Sequence, residues 1–432
     1  MNPINRRQWL ALSAGVPVAA QSRRSLSVLL INADDQRWDT IAALGNREIR
    51  TPNLDQLASR SAVFQNHYCQ GSMIGAVCLP SRTQLMTGRS VFRIPDRNDK
   101  SGNYPLLAKA FEKAGYSTFH VGKRGNTFLP ASEAFQTTIY AEQLTQERAD
   151  QSRLHADAVI RFVKERKPGE PFFAYMAPPV PHDPRVAPKQ FMDMYDPSRI
   201  TLPKNFMPQH PFDNGELKVR DELLASFPRT PEEMRRHLAE YYGTISCLDH
   251  EVGRVLAALN ETGQAASTII VFTSDQGLAV GGCHGLMGKQ NLYEHVKPPM
   301  MIAGPGIRPR RHQALSYVMD TFPTLCDLAG IAVPEGVEGR SLAPVIRGQS
   351  KHVRDSLFAL YRDCQRMTRD DRWKLMWYPK INRYQLFDLK NDPWELNDLS
   401  QNGGSAAHVE RLKKRMAALQ DEFDDRAAPR PV

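Results

Sequence analysis

Three short apolar runs set the frame of this chain: residues 25–31 (SLSVLLI), 171–177 (PFFAYMA) and 267–273 (STIIVFT). Such runs, bounded by polar and turn-forming residues, predict strands buried inside a sheet. Helical patterns separate them. One begins at Thr51-Pro52-Asn53-Leu54, one covers 105–114 and stops at Gly115, one covers 154–167, and a long one covers 231–259. A further strand is expected over 117–121. Strands alternating with helices predict an α/β domain built on a mostly parallel sheet flanked by helices. Beyond about residue 350 the pattern changes to short strands with turns, at 355–360, 365–367, 372–377 and 384–388, closed by a helix over 406–423. A smaller antiparallel subdomain is expected there. The resulting division is a leader at 1–24, a large domain at 25–348 and a C-terminal subdomain at 349–432.

The leader is read from Arg6-Arg7 followed by an apolar stretch from Trp9 to Ala20, an order similar to a twin-arginine export signal. It is too short to span a bilayer, and no later run reaches the ~20 apolar residues a membrane helix needs. An exported protein without stable membrane insertion is expected. The formal net charge is +9, and four of those charges are arginines in the first 24 residues, so +5 remains beyond them. That mild bias suits an anionic substrate. No Lys/Arg run reads as a nucleic-acid arm. The six cysteines show no CxxC or zinc spacing, which excludes a disulfide scaffold and a zinc module. Residues 178–232 are rich in proline and irregular, and loops of that length commonly form walls of a site.

One cysteine stands in an unusual context. Cys78-Leu79-Pro80-Ser81-Arg82 leads through Thr83-Gln84-Leu85-Met86 into Thr87-Gly88-Arg89. Asp34-Asp35 follows the first strand and Asp275-Gln276 follows the strand at 267–273. Both pairs would lie at the carboxyl ends of parallel strands, where open α/β sheets place their sites, and both offer hard oxygen ligands to a divalent cation. Lys123 follows another strand in Val121-Gly122-Lys123, His182 lies in Pro181-His182-Asp183-Pro184, and Lys289 lies in His284-Gly285-Leu286-Met287-Gly288-Lys289-Gln290-Asn291-Leu292-Tyr293-Glu294.

On these segments the chain resembles the formylglycine-dependent (type I) sulfatases of the alkaline phosphatase superfamily, over nearly all of residues 26–400. Exported polysaccharide sulfatases and iduronate-2-sulfatase-like enzymes belong to that family. The resemblance implies an alkaline-phosphatase-like fold, a maturase that oxidises Cys78 to formylglycine (3-oxoalanine), and Ca²⁺ bound by Asp34, Asp35, Asp275, Gln276 and the modified Cys78. A hydrated aldehyde explains the chemistry. One hydroxyl attacks sulfur, and the second then expels sulfate and restores the aldehyde, whereas Ser or Cys would end as a sulfated dead end. The resemblance further implies that Arg82, Lys123 and Lys289 hold sulfate and nucleophile oxygens, with His182 protonating the leaving oxygen. His284, Arg124 and Arg185 are candidate contacts to an acidic sugar, as is Arg362. The Asp-Pro and Glu395-Leu396-Asn397 region after Tyr384 reads as a structural strand, turn and short helix.

Two departures matter. Gln276 replaces the family Asn or His, although an amide oxygen can still ligate. Gly122-Lys123-Arg124-Gly125-Asn126 carries no histidine where relatives place the group that deprotonates the diol. His120 falls two positions too early on a strand pattern and reads as structural. Three functions remain open to the residues alone: hydrolysis of sulfate esters on a saccharide, hydrolysis of phosphonates or phosphodiesters by the same aldehyde, and carbohydrate binding by a catalytically impaired relative.

Overall fold

The protein is represented by a computed structural model that describes residues 25–125, 127–144, 147–167 and 169–431. The expected leader at 1–24 and Asn126 lie outside the described residues. Among the described residues thirteen strands form two sheets. In chain order they are β1 (Ser27–Ala33), β2 (Ala62–Tyr68), β3 (Gly71–Ser72), β4 (Ser117–Gly122), β5 (Thr137–Tyr140), β6 (Phe172–Ala177) and β7 (Thr268–Ser274). They continue with β8 (Met300–Ala303), β9 (Arg310–Tyr317), β10 (Leu357–Tyr361), β11 (Gln365–Arg369), β12 (Trp373–Tyr378) and β13 (Arg383–Asp388).

The large sheet has the order β5-β4-β6-β1-β7-β8-β2-β9. Only β8 runs against its neighbours; the other pairings are parallel. The three apolar runs become β1, β6 and β7, side by side at its centre. Strand β1 shows why they are apolar throughout. Val28 and Leu30 enter the core on one face, while Leu29, Ile31 and Ala33 enter the core on the other. The helices Gln151–Lys164 and Pro231–Glu261 cover the second face, and Cys78–Thr87, Leu107–Lys113 and Thr321–Ala329 cover the first. The register aligns Ala33 with Ser274 and Gly122 with Ala177, so the strand ends that precede the expected site residues finish level with one another.

The small sheet has the order β13-β12-β11-β10-β3, and the helix Ala406–Phe423 packs on it. Its first four strands are antiparallel, as expected. The fifth, β3, comes from the large domain and pairs in parallel with Leu360 and Tyr361. The sheet therefore crosses the boundary expected at 348–349 and reaches to within a few residues of Cys78. Gly71 makes this approach possible, because a Cβ there would stand 1.8 Å from the Leu360 carbonyl oxygen. The helix expected after Tyr384 does not form. Beyond β13 the described chain passes through turns, held by Asp388 accepting from the Asn391 and Asp392 amide groups and by Asp392 accepting from Asn397.

A buried ionic cluster joins the two sheets. Glu294 accepts from Tyr68 at 2.6 Å and pairs with Lys297 at 2.7 Å and Lys374 at 3.1 Å, while Lys374 also reaches Glu395 at 2.7 Å. Removing one partner would strand the others without water. No helix among the described residues is long and apolar enough to cross a membrane.

Three histidines lie wholly inside the large domain. Burial pushes His67 and His155 down to about 4 and His120 to about 3. They stay neutral when folded but protonate in the unfolded chain near the ordinary value of about 6.5. Stability is thus complete above about pH 6.5 and is lost as pH falls toward 4. Thermal midpoints should drop steadily between about pH 7 and pH 4.5. His120→Phe keeps the stack on Tyr175, 5.2 Å between ring centroids, and should flatten that slope.

Candidate active site

The nucleophile candidate occupies the first position of the helix Cys78–Thr87, in which every residue but Leu79 is buried. Pro80 fits in the first turn, where no intrahelical amide bond is lost. Ser81 donates to the Asp275 carbonyl oxygen at 2.6 Å, and Arg82 Nε donates to the Asp275 carboxylate at 3.0 Å. The Pro-Ser-Arg segment thus docks the helix onto the end of β7. At the other end Gly88 adopts a left-handed φ of 65°, and a Cβ there would meet Val337 at 2.8 Å. The helix amino terminus faces the acidic strand ends, where its dipole favours an oxyanion.

Asp34 and Asp35 leave β1 together. Asp35 has a φ of 72°, a conformation costly for a residue with a Cβ. It is held by its amide donating to Asp275 Oδ1 at 3.0 Å and by Tyr241 donating to its carbonyl oxygen at 2.5 Å. That turn brings both carboxylates to one side. Ligand atoms of Asp34, Asp35, Cys78 and His182 all lie within 4.8 Å of one another. Asp34 Oδ1 makes no hydrogen bond, although Arg82 Nη2 stands 3.4 Å away, and Gln276 Oε1 is buried without a partner. Two orphaned oxygens among close carboxylates are what a hard cation would satisfy. The donor set fits a divalent metal.

Cations surround these acids. Lys123 pairs with Asp34. Lys289 donates to Asp35 at 2.7 Å and stands 3.2 Å from Cys78 Sγ, and His182 Nε2 lies 3.6 Å from Asp35 Oδ2. Burial would raise the Asp34 carboxyl, yet Lys123, Arg82, His182 and Lys289 hold it well below the usual range. Asp275 goes the other way: burial and the Asp34 charge push it up to about 7. Burial and the Asp35 carboxylate push the Cys78 thiol well up. An unmodified thiol here is a poor nucleophile, because the thiolate is the reactive form.

The fold brings together Cys78, Arg82, Lys123, His182, Lys289, Asp34, Asp35, Asp275 and Gln276. It separates others. His284 is buried with its ring stacked 3.9 Å from Tyr293 and beside His295, on the side of the small sheet, and it makes no contact with the cluster. Arg124 is exposed and lies over Tyr140 at 5.6 Å. Arg362 pairs with Glu216 at 2.8 Å. Arg185 is buried against Tyr241. Gly125 is exposed, and a Cβ there would meet nothing within 4 Å, so sterics do not explain the missing histidine.

Three supporting residues had no signal in the sequence. Asp221 lies 3.7 Å from Lys289, and Glu222 accepts from the amide groups of Met287 and Gly288 at 2.8 Å each. Arg148 donates to the His182 carbonyl oxygen at 2.7 Å. Asp221 and Glu222 come from the proline-rich excursion, which wraps the Lys289 loop as its length suggested. Arg82 is the structural centre of the cluster. Arg82→Met should lower stability by about 3–5 kcal/mol in urea unfolding, since two buried carboxylates lose their shared cation.

Comparison with known proteins agrees with this geometry. The family model described as Sulfatase matches residues 27–331, and that for the N-sulphoglucosamine sulphohydrolase C-terminal region matches residues 282–422. An arylsulfatase of Clostridium perfringens is 27% identical over 90% of this chain and 93% of its own length. Human iduronate 2-sulfatase is 30% identical over 72% of this chain and 70% of its own. The solved phosphonate monoester hydrolase of Agrobacterium radiobacter shares the fold, with a TM-score of 0.78 at 23% identity over 92% of this chain and 96% of its own. The sulfatase match spans most of the chain and contains the whole buried cluster around Cys78: the chain belongs to the sulfatase family, whose members are sulfuric ester hydrolases.

Proposed function

We propose that the protein cleaves a sulfate ester on a saccharide, using a formylglycine made from Cys78 and Ca²⁺ held by Asp34, Asp35, Asp275 and Gln276. The observation that carries this reading is the convergence of Cys78, three carboxylates and three cationic side chains in one buried cluster. The saccharide part rests on the relatives, which include an iduronate sulfatase, and on the match to the sulphoglucosamine sulphohydrolase C-terminal region.

The thiol Sγ marks where an oxygen of the converted side chain would lie. Hydrated formylglycine supplies one hydroxyl to attack sulfur and a second to release it. Cys78 is 1% exposed, so a maturase must reach it before the domain closes. Bound Ca²⁺ would supply a Lewis acid beside the attacking oxygen and the sulfate. Gln276 points its Nε2 at Asp35 and Cys78, at 3.0 and 3.2 Å. Turning the amide over would present the orphaned Oε1 to the metal, and an amide's O and N are assigned by such networks. Lys289 and the helix amino terminus stabilise charge on the nucleophile, while Lys123 and Arg82 border the oxygens of the sulfate.

His182 is the one histidine in the cluster among the described residues. Its Nδ1 donates to the Asp183 carbonyl oxygen at 2.8 Å, so Nε2, which faces the cluster, gives a proton to the departing sugar oxygen only from the doubly protonated imidazolium, the form that pairs with Asp35 at 3.6 Å. The Arg6-Arg7 leader pattern supports export of the protein to the periplasm or beyond.

Two measurements test this reading. After expression with a maturase, the peptide containing position 78 should be about 18 Da lighter than its cysteine form, oxygen replacing sulfur and two hydrogens. An active preparation in which every copy keeps the thiol would overturn the mechanism, and Cys78→Ser should stop turnover beyond a first covalent event. Chelation should abolish release of sulfate and lower the thermal midpoint. Ca²⁺ should restore both more fully than Mg²⁺, which keeps its waters and demands a stricter geometry. Paired aryl sulfate and phosphate diester substrates would reveal a phosphonate or phosphodiester hydrolase instead.

A further inference from the structure

Among the described residues, buried arginines and lysines follow a rule with one exception. Arg37 pairs with Asp39, Arg229 with Glu222, Arg354 with Asp320 and Arg366 with Asp425; Arg82, Arg369 and the buried lysines also face carboxylates. Arg185 is 7% exposed and has no carboxylate within 4.0 Å among the described residues. Asp183, two residues before it, is instead taken by Arg220 at 2.7 and 3.1 Å.

The Arg185 guanidinium lies over the Tyr241 ring at 5.7 Å, and its Nη1 meets His237 Nδ1 at 3.4 Å. Nε and Nη2 have no partner. Those two nitrogens form one edge of the guanidinium, the edge that grips an oxyanion side-on with two parallel hydrogen bonds. An unpaired buried charge is costly, so a fold that keeps one is suited to a partner that arrives from outside. The position fits such a partner. Arg185 follows His182 by three residues, and the hydroxyl of the Tyr241 on which it rests donates to the Asp35 carbonyl oxygen. Pro184 and Val186 beside it are exposed. The contacts that hold the guanidinium, to His237 and to the Tyr241 ring, involve no carboxylate that an incoming anion would have to displace.

We propose that Arg185 binds a second anionic group on the substrate, a carboxylate or a further sulfate on the sugar that carries the scissile ester. This rests on the sulfate-ester reading and narrows it to acidic or multiply sulfated saccharides.

The test compares kcat/KM of wild type, Arg185→Met and Arg185→Lys on three probes: a 2-O-sulfated uronic acid, a disulfated glucosamine, and glucose 6-sulfate, which carries no second anion. The ratio of one acidic probe to glucose 6-sulfate should fall about 30-fold or more in Arg185→Met, with part retained by Arg185→Lys. Loss confined to the uronic acid identifies a carboxylate; loss confined to the disulfated sugar identifies a sulfate. Unchanged ratios in both arms overturn the proposal. A second readout separates binding from scaffolding: Arg185→Met should hold or raise the thermal midpoint, because it strands no carboxylate, whereas a clear drop would make Arg185 structural. If wild type hydrolyses none of the probes, the functional reading fails by itself. The Arg185 proposal then stands or falls on whether free glucuronate or glucosamine sulfate raises the wild-type midpoint and not that of Arg185→Met.

Discussion

Three carboxylates packed together inside a protein repel one another and lose their water, and the architecture around Asp34, Asp35 and Asp275 answers that constraint. Arg82, Lys123 and Lys289 are brought in from three separate segments to face them. The arrangement is not fully neutralised by geometry. Asp275 still rises to about 7, and one oxygen of Asp34 remains without a hydrogen bond. A divalent cation would complete it. The same field keeps the Cys78 thiol protonated, which makes the cysteine a poor catalyst and suits the position to an oxygen nucleophile.

Holding such a cluster requires support from beyond the central strands. The Lys289 loop is gripped by Glu222 from the proline-rich excursion on one side. On the other, Glu395 of the small subdomain accepts from the amide of Glu294, five residues after Lys289, at 2.7 Å. The small sheet continues through β3 into the segment that leads to Cys78. Both Cys78 and Lys289 are thus anchored to the C-terminal part of the chain, which carries no group of the cluster itself. This explains why the motif around Glu395 accompanies the site motifs in one sequence.

Much of this was legible in the sequence where local rules suffice. The runs that became β1, β6 and β7 are apolar at nearly every position because both faces are covered. The acids Asp34 and Asp275 could be placed together because parallel strands end on one side of a sheet, while Lys123 and His182 were placed by the resemblance to the sulfatases. Less local features were not legible. Strand β3 is two residues long and exists only because Leu360 approaches Gly71. Asp221, Glu222 and Arg148 have no spacing that marks them. His284 lies within five residues of Lys289 and shares its motif, yet stacking on Tyr293 turns it to the small sheet. The helix expected after Tyr384 gave way to turns because Asp388 and Asp392 bind backbone amide groups there.

The sequence by itself determined the α/β class, the helix that begins near Cys78, and the acids at the ends of two strands, because these depend on residue type and on order along the chain. Tertiary structure alone decided which cation meets which carboxylate, that Asp35 must twist to a φ of 72° to face its partners, and that Arg185 is buried with no acid beside it. Burial and pairing are properties of distance between segments far apart in the chain, and no spacing in a single sequence encodes them.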